Sequence, residues 1–220
     1  MTKAMPAWTV SSVGSFMSCP HKYYRLRVLR DVKDFPPTEQ ITWGNRLHKA
    51  FEDAVKYDEP LAKEYEQYST FLDKIRAIKG EKFTEYSFSL DENFQPCAWG
   101  EAWVRGKADL VIKLGKEVLI FDYKTGKRKT SDPDQLSLYV AFAFAYWSEV
   151  ETVHTCYVWL KDKKLDKHTY KRDDNAGIWQ DWLPLVRRMT RAYESDKWDK
   201  NNTGLCRNYC PVKDCQFCGS

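Results

Sequence analysis

The sequence predicts a sandwich of the α/β or α+β class, a sheet with helices laid on it. Three observations predict it. Val118-Leu119-Ile120-Phe121-Asp122-Tyr123-Lys124-Thr125-Gly126 is a run of β-branched and aromatic residues that ends in polar residues and glycine, as a buried strand does. Apolar residues at helical spacing lie both before and after it. The order of elements is helix, strands, helix, strand, helix, which places helices against a sheet.

Residues 10–18 read as a short helix with Ser11 or Ser12 as N-cap. His21-Lys22-Tyr23-Tyr24-Arg25-Leu26-Arg27 follows, in a basic aromatic segment that runs to Arg30. The interleaving suits a surface that tracks a phosphate backbone and stacks bases; an amphipathic helix with a solvated face gives the same pattern. Asp34-Phe35-Pro36-Pro37 is a linker signal. A helix is predicted from about Thr42 to Tyr57, with Leu47, Ala50, Phe51 and Ala54 as its apolar stripe. Gly44, His48 and Glu52 share another face of it. Lys63 to Lys79 reads as a further helix, and Lys82 to Leu90 as a strand containing Glu85. Gly106-Lys107-Ala108-Asp109-Leu110-Val111-Ile112 leads to Gly115-Lys116, a pair suited to a hairpin turn before the strand at 118. Beyond the loop Lys127-Arg128-Lys129 a helix begins near Pro133, and Gln135 and Tyr139 face one way on it. Val150 to Leu160 is a late strand and Trp179 to Ser195 a late helix.

The composition bounds the function. A chain of 220 residues with 43% hydrophobic content and nine tryptophans builds a real core, as one domain or one domain with a small appendage. The net charge of +4 is too mild to indicate nucleic acid by itself, although basic residues also gather at Lys161 to Lys167 and at Arg187-Arg188. No apolar run is long enough to span a bilayer, and Met1 to Pro6 has no signal-peptide core, so a soluble, cytoplasmic protein is expected. There is no Gly-x4-Gly-Lys-[Ser/Thr] phosphate loop, which excludes a helicase motor of that kind.

Four of the seven cysteines, Cys206, Cys210, Cys215 and Cys218, fall in the last fifteen residues. In a reducing compartment that density points to metal rather than disulfides. The tail alone could hold zinc. Alternatively Cys19, exposed at a helix end by Pro20, joins three tail cysteines around an iron–sulfur cluster. Cys97 and Cys156 read as ordinary buried thiols.

The chemistry concentrates in Asp109, Asp122 and Lys124. Alternation along a strand sends Asp122 and Lys124 to one side, and the hairpin brings Asp109 beside them. Two carboxylates suit a hard cation such as Mg²⁺, and a lysine can orient water or stabilise charge beside it.

Taken together, Gly44…His48, Gly106…Asp109, Asp122-Tyr123-Lys124 and Gln135…Tyr139, in that order, resemble the RecB-like branch of the PD-(D/E)xK nuclease superfamily. That branch includes nuclease domains of bacterial recombination helicases, CRISPR-associated adaptation nucleases and phage exonucleases. The resemblance covers nearly the whole chain. It implies an α/β fold of the restriction-endonuclease-like kind, a central mixed sheet flanked by helices. The N- and C-terminal segments, 1–35 and 196–220, would meet at a cysteine metal site within a single nuclease domain. It implies that Asp109, Asp122, the Tyr123 carbonyl and His48 bind Mg²⁺ or Mn²⁺. Lys124 would act on the attacking water, Gln135 would orient Lys124 or the phosphate, and Tyr139 would contact phosphate or pack beneath. Glu85 would be an acid beyond the direct ligands, or a plain surface residue of its strand. Cys19, Cys206, Cys210 and Cys215 would hold a 4Fe–4S cluster. The tail spacing departs from the family's usual one and leaves Cys218 as an alternative ligand and Zn²⁺ as an alternative metal. The implied activity is a stand-alone metal-dependent DNA nuclease, an exonuclease on single strands or DNA ends, of phage or mobile-element type. The implied partner is DNA, with room for a recombination or replication protein of the same phage or host. A nucleic-acid-binding module without catalysis, carrying a zinc tail, is the competing reading.

Overall fold

The computed structural model describes residues 5–126 and 135–219. The chain divides into two compact units, Pro37–Gln180 and Met1–Pro36 with Asp181–Ser220. The expected loop Lys127-Arg128-Lys129 and the helix start at Pro133 lie outside the described residues.

The larger unit is built on a five-stranded sheet: β1 (Glu81–Leu90), β2 (Val104–Leu114), β3 (Glu117–Lys124), β4 (Thr152–Trp159) and β5 (Lys164–Lys171), in that spatial order. Only the β3–β4 pair is parallel; the other three are antiparallel. The sheet is therefore mixed and flanked by helices, as the resemblance implies. β5 was not expected: Lys164–Lys171 is too charged to read as a strand, and its charge marks it as an edge that resists further pairing. Gly115 and Lys116 make the β2–β3 turn between the paired Leu114 and Glu117, and Gly115 takes the left-handed φ of 58° that its place in such a turn requires.

α3 (Glu39–Lys56) starts three residues earlier than the apolar stripe suggests, because Thr38 caps it by accepting from Ile41 N. The predicted helix at 63–79 is a 3₁₀ turn, Lys63–Tyr68, followed by α4 (Ser69–Ala77). Leu47 and Phe51 of α3 and Ile75 of α4 bury against Leu110, Ile112, Phe121, Tyr123 and Val158 of the sheet. α5 (Gln135–Tyr146) is buried on every side from Leu136 to Phe144, so its sequence shows no polar face. It rests on β2 at Gly106. A methyl group there would stand 2.5 Å from a ring carbon of Phe142 and 2.7 Å from one of Tyr139. Gly106 is thus small to let α5 lie close to the strand.

In the smaller unit, α1 (Val10–Ser18) is capped by Thr9 rather than Ser11 or Ser12: its hydroxyl accepts from Ser12 N, and Ser12 reciprocates. α2 (Pro20–Tyr23) begins at Pro20, and a π-helical turn spans Tyr24–Leu29. The aromatic residues of this basic segment pack inward: Tyr23 is buried with its hydroxyl 3.1 Å from that of Tyr193, and Tyr24 stacks on Trp198 at 4.8 Å. Arg25 pairs with Asp31 and Asp214. The segment is helical, as the amphipathic-helix reading expects. α6 (Asn175–Ser195) starts four residues before its expected position. Among the described residues no helix is long and apolar enough to cross a membrane.

Gly106→Val should lower the melting temperature by several degrees, since overpacking a close contact costs about 1–3 kcal/mol. A thermal melt of the purified variant checks this; an unchanged melt would show that α5 does not need the close approach.

Candidate active site

The site forms where two strand ladders break. The β2–β3 pairing stops at Leu110 and Phe121. Just beyond, Asp109 Oδ2 accepts the Tyr123 N–H at 2.6 Å, so a carboxylate replaces the missing backbone acceptor. The β1–β2 register passes from Thr84–Leu110 to Tyr86–Ala108 without pairing Glu85 to Asp109. Glu85 has φ 50°, a left-handed conformation that a glutamate seldom adopts inside a strand. Its Oε2 takes Lys107 Nζ at 2.7 Å.

His48 comes to this break from α3, with Nδ1 3.2 Å from Asp109 Oδ1. Ligand atoms of His48, Glu85 and Asp109 lie within 4.8 Å of one another, the one such group among the described residues. Gly44, one turn earlier, is a close approach: an added Cβ would sit 2.8 Å from Thr125 Oγ1. The Gly44…His48 pair therefore sets α3 against the end of β3 and aims the imidazole at Asp109.

Asp122 and Lys124 project together, as strand alternation requires, and Lys124 Nζ lies 2.6 Å from Asp122 Oδ2. This buried carboxylate oxygen is thus held by an ion pair to Lys124. Gln135 of α5 ties the group together. Its Oε1 accepts from Lys124 Nζ at 3.2 Å, and its Nε2 donates to Asp122 Oδ1 at 3.3 Å and to Tyr139 Oη at 3.1 Å. Tyr139 in turn donates to the Lys107 carbonyl at 2.8 Å. Burial pushes the Tyr139 phenol up to about 12, so it stays a donor. It packs beneath Gln135. Tyr123 points its ring into the core, stacked edge-on against Phe51 at 4.9 Å.

Asp122 is 5% exposed. Burial, and then the charge of Asp109, push its carboxyl up to about 6 against the pull of Lys124. For His48 burial acts downward, but the bond to Asp109 and the charges of Asp109, Asp122 and Glu85 outweigh it, and its pKa is raised. Acid crowded on acid in a half-closed site is the electrostatic state that a divalent cation relieves. Every donor there is oxygen or imidazole nitrogen, which fits Mg²⁺ or Mn²⁺.

The expected residues His48, Asp109, Asp122, Lys124, Gln135 and Tyr139 thus stand in one connected constellation. Glu85, allowed as a surface residue, faces the same centre. Nothing local marks it, because its place depends on a left-handed backbone that glutamate does not favour.

The smaller unit gathers the thiols. Cys19, Cys206, Cys210, Cys215 and Cys218 all line one small cavity, with Ser18, His21 and Lys22 on its wall. All seven cysteines are free. Cys19 caps α2, and its Sγ accepts from Lys22 N at 3.4 Å; Cys206 Sγ accepts from Thr203 N at the same distance. Backbone N–H groups aimed at sulfur suit thiolate ligands, so the donor set fits a thiolate-bound metal. Cys97 and Cys156 are elsewhere, and burial raises both, Cys156 to about 11.

The profile of the PD-(D/E)XK nuclease superfamily matches residues 7–216. The chain belongs to the PD-(D/E)XK nuclease superfamily. Asp122-Tyr123-Lys124 on β3 has the Asp-x-Lys pattern that appears in that name. Among solved structures, SSO0001 is 13% identical with a TM-score of 0.46, over 99% of this chain and 90% of its own. A candidate exonuclease from Eubacterium rectale is 12% identical with a TM-score of 0.49, over 96% and 86%. No curated protein matches this PD-(D/E)XK chain.

In the metal-free protein Asp122→Asn should raise the melting temperature at pH 8. An acid whose folded pKa of about 6 lies above an unfolded value of about 3.9 costs stability above the folded value and none below the unfolded one. The gap between variant and wild type should open as pH rises from about 4 to about 6. Melts in EDTA across that range check it; a gap independent of pH would contradict the assignment.

Proposed function

We propose that the protein is a divalent-metal-dependent deoxyribonuclease that hydrolyses phosphodiester bonds, acting as an exonuclease on single-stranded DNA or DNA ends. One observation carries the reading: the His48, Glu85 and Asp109 donors converge beside an Asp122–Lys124–Gln135 network. A binding module without catalysis has no use for three carboxylates crowded at such electrostatic cost.

Asp109, Asp122 and His48, with the Tyr123 carbonyl, would hold Mg²⁺ or Mn²⁺, and Glu85 would complete or flank that set. When bound, the ion supplies Lewis-acid polarisation of the scissile phosphate and a water acidic enough to attack near neutral pH. The chain supplies the rest. Lys124 presents an ammonium whose direction is fixed by Asp122 and Gln135, so its charge is preorganised for the phosphorane oxygens. Gln135 cannot swing away, because Tyr139 anchors it to the β2 backbone. Asp109 holds β2 and β3 at the spacing that leaves room for a phosphate.

Degradation of end-labelled single-stranded DNA should require Mg²⁺ or Mn²⁺ and stop in EDTA. Asp109→Ala, Asp122→Ala and Lys124→Ala should each slow it at least about 10²-fold in folded protein, with His48→Ala milder. Glu85→Gln should weaken Mn²⁺ affinity measured by calorimetry. Full activity in EDTA, or wild-type rates for Asp122→Ala, would defeat the proposal.

For the thiol cavity we propose a 4Fe–4S cluster held by Cys19, Cys206, Cys210 and Cys215. Support comes from Cys19 lining the same cavity as the tail cysteines, which a tail-only zinc site does not need. Anaerobically purified protein should be brown with a broad band near about 400 nm. Cys19→Ser should lose iron and melt earlier together, whereas Cys218→Ser should keep both. A colourless zinc protein that loses metal with Cys218→Ser and not with Cys19→Ser would replace the cluster by the tail-only site.

A further inference from the structure

A cleft of about 940 Å³ opens next to the catalytic network. Its wall on α3 carries Ile41, Trp43 and Arg46; Thr125 and Gly126, which directly follow Lys124, and Lys161 of the β4–β5 turn complete it. Trp43 is half-buried, anchored edge-on to Tyr65 at 6.0 Å, and the remainder of its ring lines the cleft. Ile41 is 52% exposed, an apolar side chain at the cleft wall. Arg46 and Lys161 are both exposed and come from different elements of the lining. Glu39 also lines the cleft, but the two cations outnumber it.

We propose that this cleft is the groove that takes the single-stranded end of a polynucleotide, with a base stacked on Trp43 and backbone phosphates against Arg46 and Lys161. The inference rests on the nuclease reading above and adds to it the strand-binding residues and the single-strand preference. Aromatic faces set between cations are what a strand with unpaired bases engages. A duplex hides its base faces in the stack and offers phosphate and sugar outside, so an apolar wall of Trp43 and Ile41 gains little from it. The volume lies at the upper end of the range of about 300–1,000 Å³ in which clefts bury small ligands, which gives room for more than one nucleotide. Thr125 and Gly126 of the cleft wall directly follow Lys124 in the chain, so a strand lying there is close to the reacting groups.

Fluorescence anisotropy of the full chain in EDTA tests this, with a labelled twelve-residue oligothymidine and a blunt hairpin of about the same length as probes. Wild type should prefer the single strand. Trp43→Leu, which keeps apolar packing on Tyr65 but removes the stacking face, should weaken that binding at least about fivefold, and Trp43→Tyr should restore most of it. Arg46→Ala with Lys161→Ala should reduce the salt slope of log K by roughly 1.4, two phosphate contacts' worth for a single strand. Trp99→Leu, an exposed tryptophan outside the cleft, should change nothing. Equal affinity of wild type for the hairpin, no binding of the single strand, or wild-type affinity in Trp43→Leu would each overturn the groove. Should Trp43→Leu melt early, the salt slope of the exposed double variant decides alone, and an unchanged slope overturns it. Hydrolysis in Mn²⁺ is read separately. Protein that cleaves DNA while ignoring Trp43 sinks the groove only, and protein that binds through Trp43 but never cleaves sinks the nuclease reading only.

Discussion

The hydrogen bond from Tyr123 N to the Asp109 carboxylate holds the site together. The β2–β3 pairing ends at Leu110 and Phe121, and a parted ladder leaves a buried N–H without an acceptor. Asp109 supplies that acceptor with one oxygen and keeps the other turned toward His48. A single side chain thereby satisfies the backbone, fixes the gap between the strands and offers an anionic oxygen to a cation. Each remaining feature follows from the gap: Glu85 unpaired beside it, Asp122 and Lys124 just beyond it, α3 brought close by Gly44.

Two helices then lock the chemistry from either side. α3 brings His48, and α5 brings Gln135 and Tyr139. Each lies close because of one glycine. Gly44 makes room for Thr125, and Gly106 for the rings of Tyr139 and Phe142. The glycines of the two motifs are thus packing devices, and neither needs a positive φ. The cost of the arrangement is electrostatic. Asp122 is buried against Asp109 and resists ionisation, and Glu85 sits in a strained backbone. On the proposed reading, a bound cation would release that tension.

Much of this was legible in the sequence for definite reasons. Strand periodicity placed Asp122 and Lys124 on one side, and the Gly115-Lys116 turn set the register that brings Asp109 beside them. The helix spacing of Gln135 and Tyr139 foretold that they meet. Other features were hidden because tertiary contacts decide them. β5 reads as a charged loop, since an edge strand needs few apolar residues. The aromatics of the 21–27 segment read equally as a stacking surface, and only the positions of Trp198 and Tyr193 show that they are core. Glu85 could be read only as an outer acid or a surface residue, because a left-handed glutamate is set by its neighbours and not by its own preference. The five thiols lining one cavity were foreseeable from density and from Cys19-Pro20.

The most direct test of the central claim is pulsed electron paramagnetic resonance of the protein loaded with one equivalent of Mn²⁺. The account predicts a single histidine ¹⁴N coupling that vanishes in His48→Gln, with Mn²⁺ affinity falling sharply in Asp109→Asn. A Mn²⁺ signal without nitrogen coupling, or one that persists in His48→Gln, would contradict the convergence of His48 and Asp109 on a shared cation.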